Sequence, residues 1–212
     1  MKMIFMIILA ALSAVYLVSL FFRRGIFQSI GKACLVPLIA AVYITGSDRI
    51  FPPVILALFF GWLGDIFLLK IEDIRFFRLG LGSFLVGHIL YIPSMMYFSG
   101  GVNITALAIS ALVGIALGIL IFRIIRPNSE MKIPVIAYET VIILMAASAV
   151  QLFIARGTPF GAFAIAGGAF FLVSDTILAF FTFQKKPRIG DFLVMLTYIS
   201  AQLCIVLGFS GM

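Results

Sequence analysis

The sequence predicts an all-α integral membrane protein that crosses the bilayer eight times. Of its 212 residues, 64% are hydrophobic and only 11% are charged, and the mean hydropathy is +1.26. Soluble domains carry about 25% charged residues. Apolar runs of roughly 20 residues follow one another along the chain, each long enough to cross a hydrocarbon core of about 30 Å as a helix.

Eight such runs lie in order between small charged clusters. The first is followed at once by Arg23 and Arg24 and has no small-residue cleavage site, so it is interpreted as a transmembrane helix and not as a signal peptide. Almost nothing remains for an extramembrane domain, and one transmembrane domain is predicted over residues 1–212. The runs cover residues 3–22, 30–46, 51–69, 79–98, 103–122, 133–154, 159–183 and 189–209.

The basic residues predict the orientation of the chain. Only Lys2, Arg49 and Arg156, of the 15 lysines and arginines, fall on one side of the predicted membrane. Because cytoplasmic loops accumulate Lys and Arg, both termini are predicted to lie outside. The net charge of +7 is therefore a topology signal, with a secondary attraction to anionic lipid, and not a nucleic-acid signal. The cytoplasmic set is Arg23, Arg24, Lys32, Lys70, Arg75, Arg78, Arg123, Arg126, Lys132, Lys185, Lys186 and Arg188.

A short pattern occurs twice, each time inside an apolar run. Residues 64–68 and 174–178 both read small residue, aspartate, two residues, leucine. An ionised carboxylate in the bilayer centre costs roughly 2.5–3.5 kcal/mol on insertion scales. Asp65 and Asp175 therefore indicate a paired acidic site, and the structural alternative is a helix-joining hydrogen bond or a salt bridge to Lys32.

The two aspartates belong to a possible internal repeat. A shift of 110 residues carries Asp65 onto Asp175, residues 78–80 onto 188–190, and His88 onto Tyr198. The predicted repeat is parallel, with four helices in each half, residues 1–100 and 101–212. Folds of this kind have an axis along the membrane normal and often carry functional groups where the repeats meet. The alternative is chance similarity among apolar helices.

Further polar residues are predicted to form a pocket with the aspartates, open toward the cytoplasmic leaflet. His88 would lie about 15 Å deeper than Arg78, near the midplane. The set is Lys32, His88, Tyr91, Tyr138, Glu139, Asp191, Tyr198 and Gln202.

Each member of this set also has a structural explanation. Lys32 can extend to the interface, and Asp191 can cap a helix N-terminus. A single histidine is poor evidence for a metal, and the tyrosines can join helices by hydrogen bonds. Five glycines are interpreted as permitting close helix approach, namely Gly61, Gly64, Gly80, Gly82 and Gly87. No metal site and no disulfide is predicted.

Two carboxyl groups in one low-dielectric cavity are expected to hold different protonation states, because of desolvation and mutual repulsion. Such a pair supplies a proton donor and a base together, which suits cleavage through an oxocarbenium-like state. The sequence has no nucleophile elbow, no His-Glu-x-x-His and no phosphate-binding glycine loop. Serine hydrolase, zinc protease and nucleotide-driven chemistry are therefore disfavoured.

At these residues the chain resembles the YhhN-like family of polytopic membrane proteins, whose characterised animal members are lysoplasmalogenases. The strongest matching blocks are residues 64–69 with 77–91, residues 168–179, and residues 197–203. Weaker matches surround Lys32 and Tyr138.

The resemblance implies an enzyme that hydrolyses the vinyl ether of a lysoplasmalogen to a fatty aldehyde and glycerophosphoethanolamine or glycerophosphocholine. One of Asp65 and Asp175 would donate the proton and the other would stabilise the cation and deprotonate water, in either order. Lys32 would neutralise the lipid phosphate, and the other polar residues would bind headgroup and water. No cofactor and no nucleic acid is implied. The expected location is the bacterial cytoplasmic membrane, with the site toward the cytoplasmic leaflet and membrane lipids as partners.

Two other functions stay open. The intramembrane carboxylates also fit a proton-coupled transporter of a small molecule or a lipid, although Pro37 and Pro93 do not occur at the repeat offset. The second alternative is a non-catalytic lipid-binding protein in which the aspartates join lysines in structural ion pairs.

Overall fold

The computed structural model describes residues 1–22, 25–157, 159–184, 187 and 189–211. Within these ranges, eight helices are long and apolar enough to cross a membrane. This confirms the prediction of an all-helical, multi-pass membrane protein. The helices are α1 (Lys2–Ser19), α2 (Ile26–Gly46), α3 (Pro52–Phe67), α4 (Ile74–Ser99), α5 (Ile104–Ile125), α6 (Lys132–Arg156), α7 (Phe160–Phe183) and α8 (Gly190–Phe209).

α2 and α4 begin before the predicted apolar runs, at residue 26 instead of 30 and at residue 74 instead of 79, whereas α3, α7 and α8 lie within theirs. α4 begins at Ile74 because Asp73 caps it: one carboxylate oxygen accepts the backbone N–H of Arg75 at 2.9 Å, which satisfies a donor that the helix leaves unpaired. The side-chain hydrogen bond from Arg75 also lowers the pKa of Asp73. Hydropathy marks the bilayer core, whereas capping marks the helix end, so the two boundaries differ.

The helices differ in how much of their surface is buried. α8, α6 and α4 form the centre, with α7 packed closely on α8 and α3 on α4. α1 and α5 lie at the periphery and expose large aliphatic side chains such as Ile7, Leu112 and Ile119. A helix that is hydrophobic on its exposed side needs an apolar surround, so these faces are suited to contact lipid chains.

Glycine permits the closest helix contacts. A Cβ added at Gly167 of α7 would lie 2.9 Å from the backbone nitrogen of Ile205 in α8. One added at Gly87 of α4 would lie 3.1 Å from the carbonyl oxygen of Ala57 in α3. Gly82 is different, because a Cβ there would meet open space. The prediction that Gly82 permits close helix approach is therefore wrong.

Five basic residues used for the topology argument lie outside the described residues: Arg23, Arg24, Lys185, Lys186 and Arg188. The orientation with both termini outside and the parallel four-plus-four repeat stay predictions.

Replacing Gly167 by Ala is expected to destabilise the fold by about 1–3 kcal/mol, the usual cost of overpacking a well-packed interior. The matched control is Gly82→Ala, which gains helix propensity in open space and should be neutral or stabilising by up to about 1 kcal/mol. Thermal unfolding in detergent measures both. Equal stability of the two variants would contradict the close α7–α8 contact.

Candidate functional site

Asp65 of α3 is buried and is held by residues from two other helices. Its side chain is 2% exposed, and one carboxylate oxygen lies 3.4 Å from the ammonium nitrogen of Lys32 in α2. The other oxygen accepts a hydrogen bond from the Tyr198 hydroxyl of α8 at 2.8 Å. Beside Lys32, the indole N–H of Trp62 donates to the carbonyl oxygen of Ala33 at 2.9 Å and ties α3 to α2. The ion pair therefore sits where α2, α3 and α8 meet.

The Tyr198 hydroxyl continues into a chain of buried hydrogen bonds. The Gln202 amide nitrogen donates to the Tyr198 hydroxyl at 3.3 Å, and the Gln202 carbonyl oxygen accepts from the Tyr91 hydroxyl of α4 at 2.9 Å. All three side chains are buried. Since Tyr198 and Gln202 are four residues apart on α8, one helical face carries both. A satisfied buried network of this kind stiffens its surroundings.

Asp175 of α7 is held by a second set of helices. Its Oδ2 accepts the hydroxyl hydrogen of Tyr138 in α6 at 2.9 Å and lies 3.2 Å from Nε2 of His88 in α4. His88 Nε2 is also 3.2 Å from the Tyr138 hydroxyl oxygen. The His88 ring meets the Phe171 ring edge to face at a centroid distance of 4.8 Å. His88, Tyr138 and Asp175 thus form a compact triangle of groups able to exchange protons.

Each aspartate cluster joins the first half of the chain to the second. Asp65 of the first half is bonded by Tyr198 of the second, and Asp175 of the second half contacts His88 of the first. The shift of 110 residues that superposes the aspartates also carries His88 onto Tyr198. Corresponding positions therefore make corresponding contacts.

Both aspartates border one polar cavity with a volume of about 320 Å³. The cavity lies between α1, α2, α3, α7 and α8, with additional wall from α4. Lys32 and Asp191 also line it. Asp175 is the more exposed of the two carboxyl groups, at 14% against 2% for Asp65. A ligand in this cavity can contact both.

The structure divides the remaining predicted residues by position. Tyr198 lines the polar cavity, whereas Tyr91 and Gln202 lie behind it in the hydrogen-bond chain. Tyr138 and Glu139 line a second, apolar cavity that also borders Asp175. His88 contacts Asp175 but lines neither of these two cavities. Within the described ranges, no three His, Cys, Asp or Glu side chains are arranged to hold a metal ion.

Sequence reasoning missed part of the polar wall. Gly25, Gln28, Ser29 and Lys32 all line the cavity. Their spacing of three, four and seven residues marks one face of a helix. That periodicity, read backwards from Lys32, could have identified Gln28 and Ser29 as neighbours of the site.

Comparison with known proteins identifies a family and no individual relative. Residues 27–209 match the model of the YhhN family. No curated protein and no solved structure matches. The matched range includes Lys32, both aspartates and all the other predicted site residues.

The Lys32–Asp65 pair should behave as one energetic unit. Lys32→Met leaves a buried carboxylate without its cation and is expected to cost about 3–5 kcal/mol. Adding Asp65→Asn removes that carboxylate and should restore most of the loss. A double-mutant cycle of unfolding free energies in detergent measures the coupling. Additive losses would contradict the ion pair.

Proposed function

The chain belongs to the YhhN family, and from this membership and the two aspartates inside its membrane-length helices we propose that it is a membrane-embedded hydrolase of the lysoplasmalogen vinyl ether. A 1-alkenyl lysophospholipid and water would give a fatty aldehyde and a glycerophospho-alcohol. The observation that carries the proposal is that Asp65 and Asp175, which are 110 residues apart, border the same cavity.

The chemistry requires a proton donor and a group that handles water. Protonation of the β-carbon of the vinyl ether forms an oxocarbenium ion. Water adds to the adjacent carbon and loses a proton, which gives a hemiacetal. The hemiacetal hydroxyl then loses its proton as the bond from carbon to the glycerol oxygen breaks, and that oxygen takes up a proton, so that the products are the aldehyde and the alcohol. Each step moves one proton, so two carboxyl groups and no cofactor suffice.

The contacts of the two aspartates favour different roles. Asp65 has the Lys32 ammonium and the Tyr198 hydroxyl beside it, both of which are donors to a carboxylate. We assign to Asp65 the stabilisation of positive charge and the deprotonation of water. The described contacts of Asp175, from Tyr138 and His88, go to Oδ2. Oδ1 is thus the oxygen that we assign to proton donation toward the substrate.

The polar cavity fits the headgroup of such a substrate. Lys32 carries a positive charge at its wall, and Gln28 and Ser29 on the same face of α2 add hydrogen-bonding groups. The Gln28 amide nitrogen already donates one hydrogen to the Ser19 carbonyl oxygen and has a second to offer. A phosphate oxygen can accept from this N–H, from the Ser29 hydroxyl and from the Lys32 ammonium. In the predicted orientation this end of the site faces the cytoplasmic leaflet.

The transporter alternative has less support. Transporters with repeats commonly bind substrate at interrupted helices near the midplane. Here α2 continues through Pro37 and α4 through Pro93, so neither proline interrupts its helix. The non-catalytic alternative accounts for the ion pair of Asp65, but it gives no reason for a second carboxyl group on the same cavity.

The first experiment measures aldehyde release from a 1-alkenyl lysophospholipid by the purified protein. Asp65→Asn and Asp175→Asn are each expected to lower turnover by about 100-fold or more, the usual contribution of a general acid or base. The matched control is Asp48→Asn in the exposed loop between α2 and α3, which should retain turnover. A well-folded wild type that releases no aldehyde would rule out the proposal. Loss of folding in both aspartate variants would favour the structural alternative.

Tyr138→Phe tests the contact with Asp175 without removing a ring. A hydrogen bond to a charged group contributes about 1.5–3 kcal/mol, which converts to a loss of about 10- to 150-fold in turnover if it acts in the transition state. Tyr97→Phe, at an exposed position of α4, is the control. Turnover within twofold of wild type in both variants would exclude Tyr138 from the reaction.

A further inference from the structure

A second cavity borders Asp175, and we propose that this apolar slot takes the hydrocarbon chain of a single-chain lipid while its headgroup occupies the polar cavity. The inference rests on the proposed function and adds to it the orientation of the substrate. The slot lies between the first halves of α4 and α6 and the second halves of α5 and α7. Its walls include Leu81, Ile121, Ile125, Ile142, Leu172 and Ala179.

Few polar groups line the slot, and most of them already have hydrogen-bond partners. The Thr176 hydroxyl is satisfied within its own helix by the Leu172 carbonyl oxygen at 2.6 Å. The Tyr138 hydroxyl is engaged with Asp175. Glu139 is the exception, and its Oε1 is buried with no hydrogen-bond partner among the described residues. Apart from this group, the slot beyond Tyr138 and Asp175 offers aliphatic and aromatic surface, which gains free energy by covering a hydrocarbon.

Asp175 and Leu178 border the slot and the polar cavity alike. The polar cavity carries Lys32, Gln28 and Ser29, and the slot carries aliphatic side chains. One lipid molecule has the same division, with a charged head and an apolar chain. The vinyl ether is the first bond of that chain. A lipid that spans both cavities would therefore hold this bond beside Asp175.

The slot is the smaller of the two cavities, at about 50 Å³ against about 320 Å³ for the polar cavity. A hydrocarbon chain that enters it must turn lining side chains aside. α5 is the wall best able to yield, because it packs mainly on α6 and makes few contacts with α7.

Ala179 is the position from which the slot can be blocked. Asp175, Ala179 and Phe183 are four residues apart in turn and share one face of α7. Ala179 lies about 6 Å along the helix axis from Asp175. It lines the slot and not the polar cavity. A large side chain there would stop a chain shortly past the reacting bond and leave the headgroup region unchanged.

The test compares Ala179→Phe with Val173→Phe, which adds the same ring on the exposed side of α7. A 1-alkenyl lysophospholipid with a diazirine a few carbons into its chain is photolysed with each protein, and labelled residues are mapped by mass spectrometry. We expect labelling of slot residues in wild type and Val173→Phe, reduced at least tenfold in Ala179→Phe. Turnover of a hexadecenyl substrate should fall at least tenfold in Ala179→Phe, whereas a propenyl analogue should stay within about threefold.

The outcomes separate this inference from the proposed function. Slot labelling without aldehyde release by wild type would support the chain site and rule out the hydrolase. Aldehyde release with labelling confined to lipid-facing side chains such as Val173 would overturn the chain site and keep the hydrolase. Equal losses for the hexadecenyl and propenyl substrates would also overturn it. Should Ala179→Phe fail to fold, Ala179→Leu and the wild-type labelling map decide the same question.

Discussion

The structure depends on one constraint: two carboxyl groups lie inside an apolar helix bundle, Asp65 at 2% exposure and Asp175 at 14%. Each needs donors close by, because an isolated charge or an unpaired polar group in an apolar interior is costly. Asp65 obtains them from α2 and α8, and Asp175 from α4 and α6. The contacts of Asp65 thus join α3 to α2 and α8, those of Asp175 join α7 to α4 and α6, and the Tyr91–Gln202 hydrogen bond links α4 to α8.

The two aspartates have different surroundings. Asp65 is almost completely buried beside a cation and at the end of a hydrogen-bond chain that reaches Tyr91. Asp175 is more exposed and stands where two cavities of opposite character meet. If both halves of the chain descend from one unit, the contacts exchanged between Asp65 and Tyr198, and between Asp175 and His88, are those that a repeat interface would produce.

The arrangement suits a reaction at the boundary between a headgroup and a chain. A carboxyl group that reaches such a bond must sit between polar and apolar surroundings, and Asp175 does so. A satisfied network of buried hydrogen bonds lies behind Asp65, which favours rigidity on that side. The slot beside Asp175 is bounded by the peripheral helix α5. The proposed lipid substrate would use both features, since it has one end of fixed chemistry and one of variable length.

The amino-acid sequence by itself determined the eight helices, because bilayer thickness sets the length of an apolar run, and it identified both aspartates, because a carboxylate in such a run is expensive. It did not determine where Asp73 caps α4 or that Gly82 faces open space. Only the tertiary structure decided that Tyr198 bonds Asp65 while Tyr138 and His88 contact Asp175, and that an apolar slot lies beside Asp175. The reason is physical: hydropathy is nearly uniform around these helices, so their rotation and choice of neighbour come from side-chain packing and hydrogen-bond satisfaction across residues distant in sequence.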